Sequence, residues 1–540
     1  RDVDFVAATT PGVIYKDLFI QGMRVNEFSG AAPGHIRAYD VRSGALRWRF
    51  NTIPQAGEFG ADTWADDAYN QLGGANAWAG MSLDEERGIV FVPTGSAALD
   101  TYGADREGDN LFANTLLALD AETGERIWHY QIVRHDLWDR DLPSPPNLVT
   151  LQHEGKDVDV VVQATKSGHL FVFDRETGEP LHPIREEPVQ GVPLPGEHAP
   201  KTQPLPVLPE PFTAQGLTPQ GLDDRSPIIM ADTAERLAAY DHGGVYNLPS
   251  LRGAILRPGF DGGAEWGGSA WDPQRQLLYI NGSETASVLQ MMPTEGTSMT
   301  EAMNLEAVYR MACAQCHGLD RRGAGLAPSL RDVGSRLNPW EIYSTIYNGR
   351  GRMPAIDHRI GKLGSVALTF YLYTAGDSEP VMAPSSEHTH YAHAGYPDFI
   401  ASDGLPAPKP PWGTLNAVDL SSGKIRWRIP LGDYPEALAM GIEGNGAANY
   451  GGPVATAGGV VFIAATPDAK FRAFDSDTGK LLWEEKLPTG GFATPAVYSV
   501  GGKQYLAISA SGTKLGNEKG RYFLAYTLDD AAPQTGLYLK

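Results

Sequence analysis

Along most of the chain, apolar residues fall into short runs such as Leu116-Leu-Ala-Leu119 and Phe471-Arg-Ala-Phe474, bounded by Asp, Gly, Ser and Thr. Runs of this length between turn residues predict β-strands. The same turn follows several of them. Asp40-x3-Gly44-x3-Trp48 recurs as Asp120-x3-Gly124-x3-Trp128, Asp419-x3-Gly423-x3-Trp427 and Asp475-x3-Gly479-x3-Trp483, and a fifth copy, Asp174-x3-Gly178, has His182 in place of the Trp. In each, the Asp and the Ser/Thr cap a tight turn and the Gly takes the positive φ. A further strand starts at or near the Trp, a large apolar plate suited to docking between neighbouring sheets. Four-stranded blades arranged radially, a β-propeller, satisfy this repeat. Spacings of 54 to 80 residues with long inserts fit blades better than a solenoid.

The interval from Asp174 to Asp419 is too long for one blade. It holds a Pro-rich loop (His182 to Pro219), further strands near Leu277-Leu-Tyr-Ile280, and a segment of different character. There, Leu305 to Arg310, Pro339 to Tyr347 and Ser365 to Ala375 read as helices, the third closing against the first. The first leads into Met311-Ala-Cys313-Ala-Gln-Cys316-His317-Gly. C-x-x-C-H is the attachment signature of a c-type haem. Cys313 and Cys316 add across the two vinyl groups, and His317 becomes an axial ligand of the iron. No second C-x-x-C exists to complete a zinc site. Downstream, Asn348-Gly-Arg-Gly-Arg-Met353-Pro354 resembles the Met-Pro loop of small class I cytochromes c. Met353 is therefore the expected sixth ligand, and a thioether opposite a histidine raises the haem potential. Met311 lies too close to the cysteines to reach the other haem face. The chain thus divides into propeller blades over 1–299, a small all-α cytochrome c domain over 300–378, and further blades over 379–540. Insertion at a loop leaves blade pairing intact.

Sixty-five acidic against 44 basic residues give a net charge of -21. Such a surface repels nucleic acid and anionic lipid, so neither is an expected partner. No apolar run reaches the ~18 residues of a membrane span, and no signal peptide is present. The chain starts at Arg1 rather than Met, which reads as a processed or cut N-terminus. Its two cysteines both lie in the haem motif, so no structural disulfide is available. A covalent haem places the protein in an oxidising, extracytoplasmic compartment, the bacterial periplasm.

Four segments carry a resemblance to a known family. They are His135-Asp136-Leu-Trp138-Asp139-Arg-Asp141-Leu-Pro, Ala164-Thr-Lys166-Ser-Gly-His-Leu-Phe, Ala264-Glu-Trp266-Gly-Gly and Gly451-Gly-Pro-Val-Ala-Thr-Ala-Gly458. In this order, and with the Asp-Gly-Trp repeats, they resemble pyrroloquinoline-quinone (PQQ) dehydrogenases, above all the propeller domain of membrane-bound glucose dehydrogenases. The resemblance covers nearly the whole chain outside the haem insert. It implies a quinohaemoprotein with PQQ, haem c and a calcium ion, or another divalent or lanthanide ion in its place. It also implies residue roles. Asp139 is the base that removes the substrate hydroxyl proton while hydride passes to the PQQ C5 carbonyl, which a divalent cation polarises. Asp139 also touches the metal, with Asn26 and Glu27 where the family offers an amide or acidic ligand, and oxygen donors suit calcium. Lys166 matches the basic residue that hydrogen-bonds the quinone oxygens. Trp78, in Gly-Gly-Ala-Asn-Ala-Trp78, matches the aromatic floor beneath the cofactor. His135 and Asp136 orient the loop, and Asp141 is a further candidate for the metal shell.

Three departures from the family pattern stand out. Ser96 occupies the place of an Asn that ligates the metal in methanol-type relatives, and serine is a weaker ligand. The vicinal cysteine pair that those enzymes place against PQQ is absent. The family propeller has eight blades, and about six are visible here; a cleaved segment, a missing stretch of sequence or a further chain would supply the remainder, or the ring closes with fewer blades. Three functions compete. The first is a dehydrogenase for an alcohol, polyol or sugar, passing electrons singly through the haem to a cytochrome or a membrane quinone or oxidase. The second is a haem-propeller nitrite reductase, for which ligands to a second haem are lacking. The third is a cofactor-free propeller scaffold, as in outer-membrane assembly factors, with an electron-transfer cytochrome c. Asp139, Lys166 and Trp78 at matching positions favour the first.

Overall fold

A computed structural model describes the chain except residues 1–5, 28–29, 295–308, 310–312, 314–316, 318–320, 324–326, 351–352, 354–356, 375–389 and 529–540. Six antiparallel sheets follow one another in chain order. The first blade is built from Val13–Tyr15, Leu18–Gln21, Ile36–Asp40 and Leu46–Phe50, and the second from Ser82–Asp84, Ile89–Pro93, Thr115–Asp120 and Arg126–Gln131. The third has three strands, Asn147–His153, Lys156–Ala164 and Leu170–Asp174, with only a bridge from Phe173 to Pro180 beyond them. Pro180 and Pro183 lack the N–H groups that a fourth strand would need. The fourth blade comprises Ser269–Asp272, Leu277–Ser283, Gly413–Asp419 and Lys424–Pro430. The fifth comprises Val454–Thr456, Val460–Ile463, Lys470–Asp475 and Leu481–Lys486, and the sixth Ala496–Val500, Lys503–Ala510 and Tyr522–Tyr526.

The central strands of the inner blades are apolar on both faces because each of these blades lies between two others. In the second blade, Val90, Val92, Leu117 and Leu119 pack toward Leu18, Ile20, Ile36 and Trp48 of the first. Their neighbours Phe91, Leu116 and Ala118 pack toward Val161, Phe171 and Phe173 of the third. The period-two side-chain alternation of a strand thus serves two cores at once.

The repeated turn locks neighbouring blades together. Asp40 Oδ1 accepts the backbone N–H of Arg42 (3.1 Å) and Ser43 (2.8 Å), and Gly44 sits at φ 70°. The indole of Trp48 reaches the next blade, where Nε1 donates to the Ala121 carbonyl at 3.2 Å and the ring lies where a Cβ on Gly124 would stand. Trp128 repeats this on Arg175 (3.1 Å) and Gly178, and Trp427 on Ser476 (3.0 Å) and Gly479. His182 keeps the hydrogen bond, Nε2 donating to the Leu420 carbonyl at 2.8 Å, while Leu208 covers Gly423. The glycine therefore provides both a left-handed φ and a seat for the neighbour's ring.

The Pro-rich stretch is not wholly irregular, since Ile184–Pro188 pairs with Thr202–Pro206. A helix at Pro227–Leu237, absent from the sequence reading, follows it and is capped by Ser226. The haem segment leaves the fourth blade between its second and third strands and is bracketed by the ladder of Met291–Thr294 with His390–His393. Within it the helix at Pro339–Asn348 carries a capping box, Asn338 with Glu341, and Pro339 at its first position. The last helix spans Asp357–Thr374 and starts well before the expected Ser365; Gly361 and Gly364, poor helix formers, do not break it. Tyr371 on this helix meets Tyr309 at 5.9 Å between ring centroids, so the third helix closes on the attachment segment. Most of the expected first helix lies outside the described residues.

Alanine at Gly44 should cost about 1–2 kcal/mol for its left-handed φ alone, because nothing lies near its added Cβ. Alanine at Gly124 or Gly178 should cost about 1–3 kcal/mol more by displacing the docked indole. Denaturant unfolding of the three variants checks the ranking.

Candidate active site

In every blade the first strand begins, and the second ends, at the same end of the propeller. The loops at this end line one cavity of about 410 Å³. The first blade contributes Arg24, Val25 and Glu27, and the segment entering the second contributes Asn76 and Trp78. Ser96 and Asp100 come from the second blade, Asp139 and Asp141 from the segment entering the third, and Lys166 from the third. Phe260, Asp261, Glu265 and Trp266 precede the fourth blade, and Tyr396 and Asp398 belong to the insert beyond the haem segment. The Trp-docked turns lie at the opposite end, so scaffold and site are separated. The haem segment also emerges at the cavity end.

At the cavity floor, Lys166 Nζ lies 2.9 Å from both oxygens of Asp139 and 3.5 Å from Asp141. Asp139 adopts φ 56°, a conformation held by its loop. Asp136 accepts the N–H of Trp138 (2.9 Å) and Arg140 (2.6 Å), Trp138 Nε1 donates to the Asn247 carbonyl (2.6 Å), and Arg140 donates to the carbonyls of Pro258 and Gly259. His135 bridges the Gly108 carbonyl and Glu197, at 2.7 Å each. These contacts fit the orienting roles expected of His135 and Asp136. Asp141 is held by the Ser96 N–H at 2.6 Å and by Trp78 Nε1 at 2.9 Å. Trp78 thus walls the cavity with its indole edge pinned to a carboxylate. The Ser96 hydroxyl donates to Asp136 Oδ2 at 2.5 Å and accepts from Asn114 at 3.2 Å.

Among the described residues, seven carboxylates but only Arg24 and Lys166 among the cations line this cavity. Burial, then the neighbouring carboxylates, raises Asp100 well above the usual range. Burial raises Asp139 too, together with Asp141 and Glu27 and against the pull of Lys166. Lys166 itself is held charged: burial opposes this, but Asp139 and Asp141 outweigh it. Burial pushes Glu265 up to about 8. Glu27, at the exposed rim, is raised by lost hydration and by Asp141. Asn26 is buried beside it and does not line the cavity. Among the described residues, no three acidic, histidine or cysteine side chains already converge on one point for an ion.

Sequence reasoning placed no role on Asp100, Asp261, Glu265, Trp266, Tyr396 or Asp398. Glu265 and Trp266 stood within a segment carrying the resemblance, a signal available in advance. Trp266 stacks on Tyr450 at 5.0 Å, with Lys514 above both rings. Tyr396 and Asp398 had no such signal, because only the return of the chain from the insert brings them to the rim.

In the haem segment, Cys313 is buried in a cluster with Tyr309, Ile342, Ile346, Leu368 and Leu372, and Met353 packs against it. His317 Nδ1 donates to the Pro328 carbonyl at 2.8 Å, which leaves Nε2 to ligate an iron. Cys316 and Pro354 lie outside the described residues. Met292 and Ala394, from the bracketing ladder and just beyond it, share the cluster with Cys313, and Tyr396 stands two residues past Ala394.

Residues 1–323 and 372–506 match the family model described as glucose/ethanol/alcohol dehydrogenase, β-propeller domain, and 300–363 match that of cytochrome c oxidase, cbb3-type, subunit III. Quinate/shikimate dehydrogenase (quinone) of Acinetobacter baylyi is 30% identical over 505 residues, covering 92% of this chain and 54% of its own length. Quinoprotein glucose dehydrogenase A of Acinetobacter calcoaceticus is 30% identical over 541 residues, covering 97% and 57%. The quinohemoprotein alcohol dehydrogenase structure from Comamonas testosteroni superposes with TM-score 0.54 at 20% identity, covering 98% of this chain and 61% of its own, and shares the fold. The chain spans little more than half the length of these relatives.

A carboxyl with a raised native pKa binds protons more tightly folded than unfolded, so it favours folding at low pH and loses that contribution as pH rises. For Glu265 the window runs from the ordinary 4.5 to about 8. Without added metal or quinone, the melting temperature should fall across this window, and Glu265→Gln should flatten the fall.

Proposed function

The chain belongs to the PQQ-type β-propeller dehydrogenase family, with a cytochrome c segment inserted in its fourth visible blade; within that family we propose that it oxidises an alcohol, polyol or sugar and passes the electrons through its c-type haem to an external cytochrome, quinone or oxidase, outside the cytoplasm. The observation that carries this reading is the ion pair of the half-buried Asp139 with the buried Lys166 in the cavity.

The residues fit the implied groups. Trp78 and Trp266 offer flat apolar walls, and the surplus of carboxylates calls for a hard cation. PQQ with that cation supplies the hydride acceptor when bound. Asp139 takes the hydroxyl proton at a carboxylate oxygen. Lys166, held against it, pulls the Asp139 pKa down against burial and is in reach of an oxygen-rich ligand beside it. The hydrogen bonds of Asp136, Trp138 and Arg140 fix the direction of the base. Cys313 and Cys316 would attach the haem, with His317 and Met353 as its axial ligands. Asp139, Glu27 and Asn26 are the proposed metal contacts from sequence. Emergence of the haem segment at the cavity end supports internal electron transfer.

The test is the absorption spectrum of the protein loaded with PQQ and calcium. Reduced c-type bands should appear on adding one class of alcohol, polyol or sugar. A haem that dithionite reduces but no such compound does would overturn the proposal. Asp139→Asn should slow substrate-driven haem reduction by about 10²–10⁴-fold with dithionite reduction unchanged. Because Lys166 lowers the Asp139 pKa, Lys166→Met should move the acid limb of the pH–rate profile to higher pH.

A further inference from the structure

We infer that Asp100 is a ligand of the divalent cation of this cavity, filling the position that Ser96 cannot. The inference rests on reading the cavity as that of a metal-assisted dehydrogenase.

Asp100 is 9% exposed and lines the cavity on the same loop as Ser96. Among the described residues no donor hydrogen-bonds its carboxylate and no cation pairs with it. The charges nearest in effect, Asp139, Glu27, Asp141 and Asp136, are all negative. A buried carboxylate left in such company is costly unless a cation joins it. The cations of the cavity are committed elsewhere: Arg24 is exposed and acts on Glu27. Lys166 is held by Asp139 and Asp141. Arg106 gives its N–H groups to the Leu99 and Asp136 carbonyls and to Asn110. Ser96 is equally occupied, its one hydroxyl proton directed at Asp136 and its oxygen taken by Asn114. A hard divalent ion answers the deficit, because calcium takes several carboxylate and carbonyl oxygens in a flexible shell. Asp139 on the floor and Glu27 at the rim supply further oxygens in the same cavity. As like charges these groups stand apart, and an ion between them draws them in.

The test uses the full chain without quinone or substrate. Calcium is titrated by calorimetry, and thermal unfolding is followed with and without calcium, for the parent, Asp100→Asn and Ser96→Ala. Asp100→Asn is nearly isosteric and removes a repelled buried charge, so it should melt higher than the parent in the absence of calcium. It should also bind calcium at least about 10-fold more weakly and lose the calcium-induced rise in melting temperature. Ser96→Ala should keep the parent's affinity. Parent-like calcium binding by Asp100→Asn, a lower melting temperature for it without calcium, an equal loss in Ser96→Ala, or no calcium binding by the parent each overturns the inference. Substrate-driven haem reduction by the quinone-loaded parent is read separately, so this ligand assignment can fail while the dehydrogenase reading stands.

Discussion

The seating of a tryptophan ring on a neighbouring blade's glycine is the contact on which the rest of the structure depends. An inner blade has two apolar faces and must bury each against a neighbouring blade. The indole of Trp48, Trp128 or Trp427 fixes how far apart adjacent blades stand, because its face meets a glycine and its N–H meets the carbonyl following the turn's aspartate. The same spacing at one end sets the spacing of the loops at the other. Asp139, Lys166 and Asp100 come from three different loops, so their convergence is a consequence of blade registration.

The site works against its own electrostatics. A stable interior would not collect seven carboxylates around one cavity with so few cations. The fold maintains them through a rigid frame of backbone contacts, in which Arg140 and Trp138 bind carbonyls and Trp78 and Ser96 hold Asp141. That frame leaves an unneutralised negative field at the place where a cation, a quinone and a hydroxyl proton would meet. The ladder that carries the haem segment also carries the chain back to Tyr396 and Asp398. The cytochrome c segment and the rim of the cavity are therefore parts of one covalent excursion.

Much was legible before any coordinates, and for definite reasons. A turn needs Asp, Gly and a spacing, so the five repeats and the blade pattern could be read directly. Covalent haem attachment needs two thiols and a histidine in one short stretch, so Cys313, Cys316 and His317 named themselves. Asp139, Lys166 and Trp78 were found because they sit in segments of distinctive order, and all three line the cavity. What distance in space decides was not legible. Local sequence does not show that His182 stands in for a docked Trp, that Ile184–Pro188 pairs across a Pro-rich loop, or that the last haem helix runs through two glycines.

Composition and spacing by themselves thus determined the repeat, the insertion and the chemistry of the haem motif, because each depends on residues close together in the chain. Only the tertiary structure decided which acids share the cavity, that the Ser96 hydroxyl is already spent, and that Asp100 stands buried without a counter-charge. Those outcomes depend on loops from separate blades meeting at one end, and on a balance of desolvation and charge that exists only once they have met.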